Sequence, residues 1–284
     1  MKSAFVFIDD ARFELDNFRE HAAPAFARAE FIYAQTFAEA MEQLDGRRPL
    51  CFLLDIYGSL DSDQPGEIMT QNDLGAALGP APDLSRLYQD LDQAPAGEAG
   101  NLFLRRVYAQ VERWQRSFLA ACEKMGQGRA YGLANLQAAR EQHPQAAALG
   151  YSRKALYADA VALSQAGVDG LLQKPQGGDD ELIAKATRAA APDLAAACYA
   201  AVDRRLALLG GTLAARLCGE GASLILAEAL EEGLRHLNGG LMGAPNQERA
   251  DAYQALLELR LEDQGLAPAE LALVLALREW LGQD

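Results

Sequence analysis

Three short, nearly unbroken apolar runs, Ala4 to Ile8 (AFVFI), Phe31 to Ala34 (FIYA) and Leu50 to Leu54 (LCFLL), mark the first quarter of the chain. Runs of this length without polar alternation are what strands buried on both faces require. Helix-length stretches separate them. Phe13, Phe18, Ala22 and Phe26 are assigned to one face of the first, and Phe37, Ala40, Met41 and Leu44 to one face of the second. The pattern predicts a β-α-β-α-β start with a parallel sheet. A second block repeats it. Leu133, Leu136 and Ala139 lie on a helix ending near His143-Pro144, followed by a strand over Ala146 to Ser152, a helix over Ala155 to Gln165 and a strand over Val168 to Leu172 before Lys174-Pro175. Five parallel strands are expected.

The interval from about Gly58 to Arg129 breaks this alternation. It opens polar and rich in Gly and Pro. From Asn101, read as a helix cap, Leu104, Val107, Val111, Trp114, Phe118, Ala121 and Met125 recur at alternating steps of three and four. This seam is read as packing on the chain's own helices, with a homodimer as the alternative. After Pro175 the pattern is helical to the end. Pro192, Gly210-Gly211, Gly219, Gly239-Gly240 and Pro268 punctuate four or five expected helices. Leu271, Val274, Leu275, Leu277, Trp280 and Leu281 make the last of these apolar over much of its circumference. The expected organisation is a first domain over 1–190 with an inserted segment at about 58–129, and an α-helical domain over 191–284.

Half of the 284 residues are hydrophobic and 23% are charged, which fits a folded, water-soluble protein. The formal net charge of -14 opposes any broad phosphate-binding surface, so nucleic acid is excluded as an expected partner. Cys51, Cys122, Cys198 and Cys218 have no paired spacing, sit in apolar runs and are read as reduced core residues. The first residues lack the make-up of a signal peptide and no later run approaches a membrane span, which gives a cytoplasmic expectation with no membrane partner. His21, His143 and His236 show no metal or triad spacing and receive no role.

The chemistry is concentrated at strand ends. In open parallel sheets ligands bind beyond the carboxyl ends of the strands, where the strand order reverses. Asp9-Asp10 ends the first strand and Asp55 ends the third, its neighbour, so three carboxylates converge where strands lie about 4.8 Å apart. Such crowding calls for a hard cation, and Mg2+ suits carboxylate and phosphate oxygens, with the backbone carbonyl of Tyr57 able to complete its shell. Ser152 and Lys174 end the fourth and fifth strands. The ordinary alternatives are helix capping for Asp9, Asp10 and Ser152, and a solvated surface cation for Lys174.

The ordered set FIDD, LLDIYG, LGYS and AGVDGLLQKP resembles the receiver domains of two-component response regulators, over roughly residues 3–58 and 130–190. The resemblance implies a flavodoxin-like sheet of order 2-1-3-4-5, with Asp55 as phosphoacceptor and Asp9 and Asp10 as Mg2+ ligands. It further implies Ser152 as the hydroxyl on the phosphoryl oxygen, Lys174 as its counter-ion, and a cis bond before Pro175. A sensor histidine kinase or phosphotransfer protein is the implied donor. The protein is then a switch, not an enzyme beyond its own phosphorylation and dephosphorylation, and it acts on an output protein.

Three departures stand out. Asp55 and Ser152 are 97 residues apart, where one loop, helix and strand need roughly thirty. Leu171 occupies the position three before Lys174 where receivers often carry an aromatic. The tail from Pro192 carries 14 acidic and 7 basic side chains, so output through protein contacts is expected in place of DNA binding. Two other readings compete: a pseudo-receiver scaffold that is never phosphorylated, and a haloacid-dehalogenase-type hydrolase. Against the second, a nucleophile at Asp9 would need another Asp two positions on, and Ala11 stands there.

Overall fold

A computed structural model describes residues 3–26, 29–60, 76, 83–153, 156–218, 224–237, 254, 256, 258 and 265–281. Five strands, β1 (Ser3–Ile8), β2 (Glu30–Ala34), β3 (Arg48–Leu54), β4 (Ala147–Ser152) and β5 (Gly170–Gln173), form one sheet. All neighbours are parallel, as the apolar runs predict, and the order is β2-β1-β3-β4-β5, the flavodoxin-like arrangement the resemblance implies. Pro49, which has no N–H to donate, pairs with Ala4, and the β1–β3 register slips by one residue immediately after it.

Both faces of the sheet are covered. On one, Phe5, Phe7, Cys51, Leu53, Leu149 and Tyr151 share a core with α1 (Arg12–His21) and α7 (Asp180–Cys218). Phe7 and Phe18 have ring centroids 4.7 Å apart. On the other, Phe52 stacks on Phe37 of α2 (Phe37–Leu44) at 5.8 Å and lies beside His143, just past α5 (Ala130–Gln142). Gly150 of β4 faces Leu163 of α6 (Tyr157–Gln165). Within α1 the inward stripe is Leu15 and Phe18, continuing to Ala22 beyond the helix, at steps of three and four. Phe13 lies off that stripe and is 42% exposed, unlike its expected inward position.

The chain divides into two compact units, one of residues 1–56 with 132–284 and one of residues 57–131. The expected boundary at 190/191 falls inside α7, which runs unbroken through Pro192 and Gly210-Gly211. An interior proline costs a helix about 3 kcal/mol. Here Ala191, Leu194, Ala195 and Cys198 bury the stripe around it and offset that cost. Gly210 is a packing position, not a stop. A Cβ there would meet the Ala227 carbonyl oxygen at 2.9 Å and Glu231 N at 3.0 Å, both on α8 (Leu224–Leu237). Leu226, Leu230 and Leu234 of α8, with Val274 and Leu277 of α9 (Pro268–Leu281), complete the core that begins at the sheet. Leu275 is half exposed, while Gly219, Gly239-Gly240 and the Trp280 side chain lie outside the described residues. Cys51, Cys122 and Cys198 are buried and in no disulfide; the Cys218 side chain is also outside that set.

The inserted unit contains a short helix, α3 (Ser85–Tyr88), and the 26-residue α4 (Ala99–Lys124). The start of α4 is set by a turn and not by Asn101: Gly97 takes φ 86° and Glu98 N–H donates to the Pro95 carbonyl. Phe118 packs on Tyr57, and Ala121 and Cys122 are buried. Farther up the seam Leu104, Val111 and Trp114 remain exposed, so the described residues supply no helix over that part. An antiparallel bridge between Gly58 and Gly128 closes the unit at its base.

Candidate functional site

The sheet register brings four strand ends to one edge. Asp55 N–H donates to the Ile8 carbonyl, and Lys174 N–H donates to the Ser152 carbonyl, so the ladders extend one step past the strands and fix the backbone of both residues. Asp9 is held likewise, through its N–H to the Ala34 carbonyl. Its Oδ1 accepts from Ala11 N–H at 3.0 Å, ahead of α1. Asp9, Asp10 and Asp55 each offer a carboxylate oxygen within 4.8 Å of the others. Asp9 and Asp55 are buried and Asp10 is half-buried.

Lys174 is almost wholly buried among these acids. Its Nζ donates to Asp9 Oδ2 and, at 3.0 Å, to Asp55 Oδ1, and Glu14 Oε2 lies 4.0 Å away. The rings of Phe7 and Tyr151 stand 5.7 and 5.8 Å from the ammonium, within the range of cation–π attraction. Burial alone would lower the Lys174 pKa, but Asp9, Asp55 and Glu14 outweigh it and hold the amine above its usual range. Burial pushes Asp9 up to about 7; Lys174 pulls against this shift and the Asp55 charge adds to it. The three clustered carboxylates are hard oxygen donors and fit a divalent cation such as Mg2+.

Every residue expected at the sheet edge is there. Ser152 is buried at the end of β4, opposite Gln173. Tyr57, whose carbonyl was an expected ligand, is buried two residues past Asp55 as the first residue of the inserted unit. The Lys174–Pro175 bond is trans, contrary to the expected cis bond; the chain leaves β5 with the Pro175 carbonyl accepting from Arg153 Nε at 2.8 Å. Leu171 projects beside Gly150 and is 36% exposed.

Three residues had not been singled out. Glu14 and Arg153 form a forked ion pair beside Lys174, with Nη1–Oε1 at 2.5 Å and Nη2–Oε2 at 3.2 Å. Gly132 packs against the backbone of Asp55 and Ile56: a Cβ would meet the Asp55 carbonyl oxygen at 2.7 Å and Ile56 Cα at 2.7 Å, while Gly132 N–H donates to the Ile56 carbonyl. Neither obstacle is a flexible side-chain end. Gly132→Ala is expected to cost about 1–3 kcal/mol, as overpacking does, seen as a lower denaturant midpoint at unchanged slope.

No family model and no curated protein matches the chain. Solved structures similar to it include a response regulator receiver domain protein (CheY-like) from Methanospirillum hungatei JF-1, at 14% identity and TM-score 0.35, covering 72% of this chain and 96% of that one. A second is NtrX from Brucella abortus, at 14% identity and TM-score 0.39, where 82% of this chain matches 34% of the other. A third is a response regulator protein from Burkholderia pseudomallei with a phosphorylated aspartic acid, calcium ion and citrate, at 17% identity and TM-score 0.31, covering 86% and 100%.

Proposed function

We propose that the protein is a two-component response regulator that accepts a phosphoryl group on Asp55 in the presence of Mg2+. The observation that carries this reading is the buried Lys174 ammonium shared by Asp9 and Asp55 at a parallel-sheet edge where Asp10 completes a three-carboxylate cluster. Asp9, Asp10 and Asp55, with the Tyr57 carbonyl, would hold the ion, which would supply neutralisation of the negative charge shared by acceptor and phosphoryl oxygens.

The remaining work falls to side chains. A carboxylate oxygen of Asp55 forms the new P–O bond as the bond from phosphorus to the donor breaks, the donor being a phosphohistidine or an acyl phosphate. Lys174 grips Asp55 Oδ1, which leaves the attack to Oδ2, and stays beside the anhydride as a fixed positive charge. The Ser152 hydroxyl donates to a phosphoryl oxygen. Water then returns the group to phosphate, so the protein is a switch and not an enzyme acting on other substrates.

A histidine kinase or phosphotransfer protein is the donor. Output runs through protein contacts, since the net charge of -14 and the acidic tail disfavour nucleic acid. Among the described residues no helix is long and apolar enough to cross a membrane; the proposed compartment is the cytoplasm. The test is incubation with acetyl phosphate and Mg2+, followed by intact mass and peptide mapping. A single added phosphoryl group on Asp55 is the expected result; no incorporation from acetyl phosphate or from a phosphohistidine donor, together with no binding of beryllofluoride, defeats the reading.

Proton competition follows from Asp9. Because its pKa is raised to about 7 in the metal-free protein, Asp9 carries a proton below that pH and none well above it. Mg2+ affinity is therefore expected to be level above about pH 8 and to fall by up to about tenfold per unit below about pH 7. Calorimetry in two buffers of different ionisation enthalpy checks this: close to one proton released per ion bound at about pH 6, and almost none at about pH 8.5.

A further inference from the structure

Arg153 ties three segments together at the edge of the site. It follows Ser152 directly, so its backbone belongs to the exit of β4; its Nε donates to the Pro175 carbonyl on the exit of β5; and its two Nη atoms fork onto Glu14 in the first turn of α1. Glu14 in turn faces the Lys174 ammonium at 4.0 Å. The pair is mostly shielded from water, with side-chain exposures of 23% for Arg153 and 13% for Glu14, so solvent screens it weakly. A forked guanidinium–carboxylate contact also fixes both planes, which a Lys could not do.

This geometry has a consequence for Lys174. Asp9 and Asp55 alone would let the ammonium swing toward whichever carboxylate is more negative as ligands arrive. The Glu14 carboxylate, 4.0 Å away in the first turn of α1, draws on the same ammonium and is itself gripped by the fork of Arg153. We infer that Glu14 and Arg153 are a positioning pair for the phosphoryl-accepting reaction, steadying the Lys174 ammonium beside Asp55. The inference rests on the reading of Asp55 as phosphoacceptor. The described side-chain contacts of Glu14 and Arg153 are with each other, with Lys174 and with the Pro175 carbonyl, so their removal leaves the carboxylates of Asp9, Asp10 and Asp55 in place.

The experiment compares wild type, Glu14→Gln, Arg153→Ala, Arg153→Lys and the double variant Glu14→Gln/Arg153→Ala in full-length protein. Three measurements are made: the maximal rate of phosphorylation by acetyl phosphate at saturating Mg2+, proton exchange of the Lys174 ammonium by NMR in metal-free protein, and Mg2+ affinity by calorimetry. Each single loss is expected to slow phosphorylation by about tenfold and to speed ammonium exchange by a similar factor, with Mg2+ affinity within about twofold of wild type. The double variant should be no slower than Glu14→Gln, because the two act as one unit, and Arg153→Lys should recover part of the rate. Wild-type rates and exchange in Glu14→Gln and Arg153→Ala, or fully multiplicative losses in the double variant, overturn the inference while leaving the acceptor reading standing. A wild-type protein that takes no phosphoryl group overturns both. If Arg153→Ala does not fold, Glu14→Gln and Arg153→Lys carry the same comparison.

Discussion

Asp55→Asn is expected to abolish phosphoryl incorporation, by at least about a thousandfold relative to wild type, while leaving a folded protein. The substitution removes the proposed nucleophile and little else. Asp55 is 5% exposed and its backbone is fixed by the hydrogen bond from its N–H to the Ile8 carbonyl, which the variant keeps. The asparagine amide oxygen can still accept from Lys174 Nζ, now without charge, and Lys174 retains Asp9 and Glu14 as counter-ions. Stability should therefore change by only about 1 kcal/mol, in a direction set by whether lost attraction to Lys174 or lost repulsion from Asp9 is larger. Intact mass after acetyl phosphate and Mg2+, together with a thermal melt, separates the two effects. Incorporation at the wild-type level in a folded Asp55→Asn protein would show that another residue accepts the group.

Most of this site was legible because parallel strands advertise themselves twice. FVFI and CFLL are apolar on both faces, and each ends in an acid that has no reason to follow such a run unless the sheet edge uses it. Ser152 and Lys174 could be placed by the same logic. What could not be read from the sequence depends on tertiary partners. Glu14 and Arg153 are 139 residues apart, and each alone resembles a solvated charge. Gly132 gives no sign that the Asp55 carbonyl presses on its Cα. Pro192 and Gly210 carry correct local meanings as helix breakers, but both were overruled. Burial around Ala191 and Leu194 outweighs the lost hydrogen bond, and the α7–α8 crossing needs a residue without a side chain. The cis bond before Pro175 was implied by resemblance alone, and here the chain exits β5 in the ordinary trans form.

Lys174→Met is expected to have the larger effect on stability, about 3–5 kcal/mol in metal-free protein at neutral pH. Methionine keeps the apolar length of the stem beside Phe7 and Tyr151 but leaves Asp9, Asp55 and Glu14 facing one another without the ammonium. The pH dependence has a definite sign. Lys174 is held above its unfolded value, so its contribution is fully present below about pH 10 and would be lost only as pH rises through the still higher folded pKa. Across the neutral range the wild type thus keeps all of it. The deficit of the variant should shrink as pH falls toward about 7 and level off below it, because Asp9, no longer pulled down by Lys174, takes up its proton at a higher pH than in the wild type and removes one of the uncompensated charges. Mg2+ should repair part of the loss by binding the folded state alone, by about 2.7 kcal/mol at a hundred times its dissociation constant. The rate should not be repaired with it. Loss of a fixed positive charge beside the transferring group costs on the order of a hundred- to a thousandfold, even in a protein refolded by the metal. Urea melts at about pH 5.5 and 8 with and without Mg2+, set beside phosphorylation rates, test both halves. A Lys174→Met protein as stable as wild type at both pH values would mean that the buried carboxylates are neutralised by something other than this ammonium.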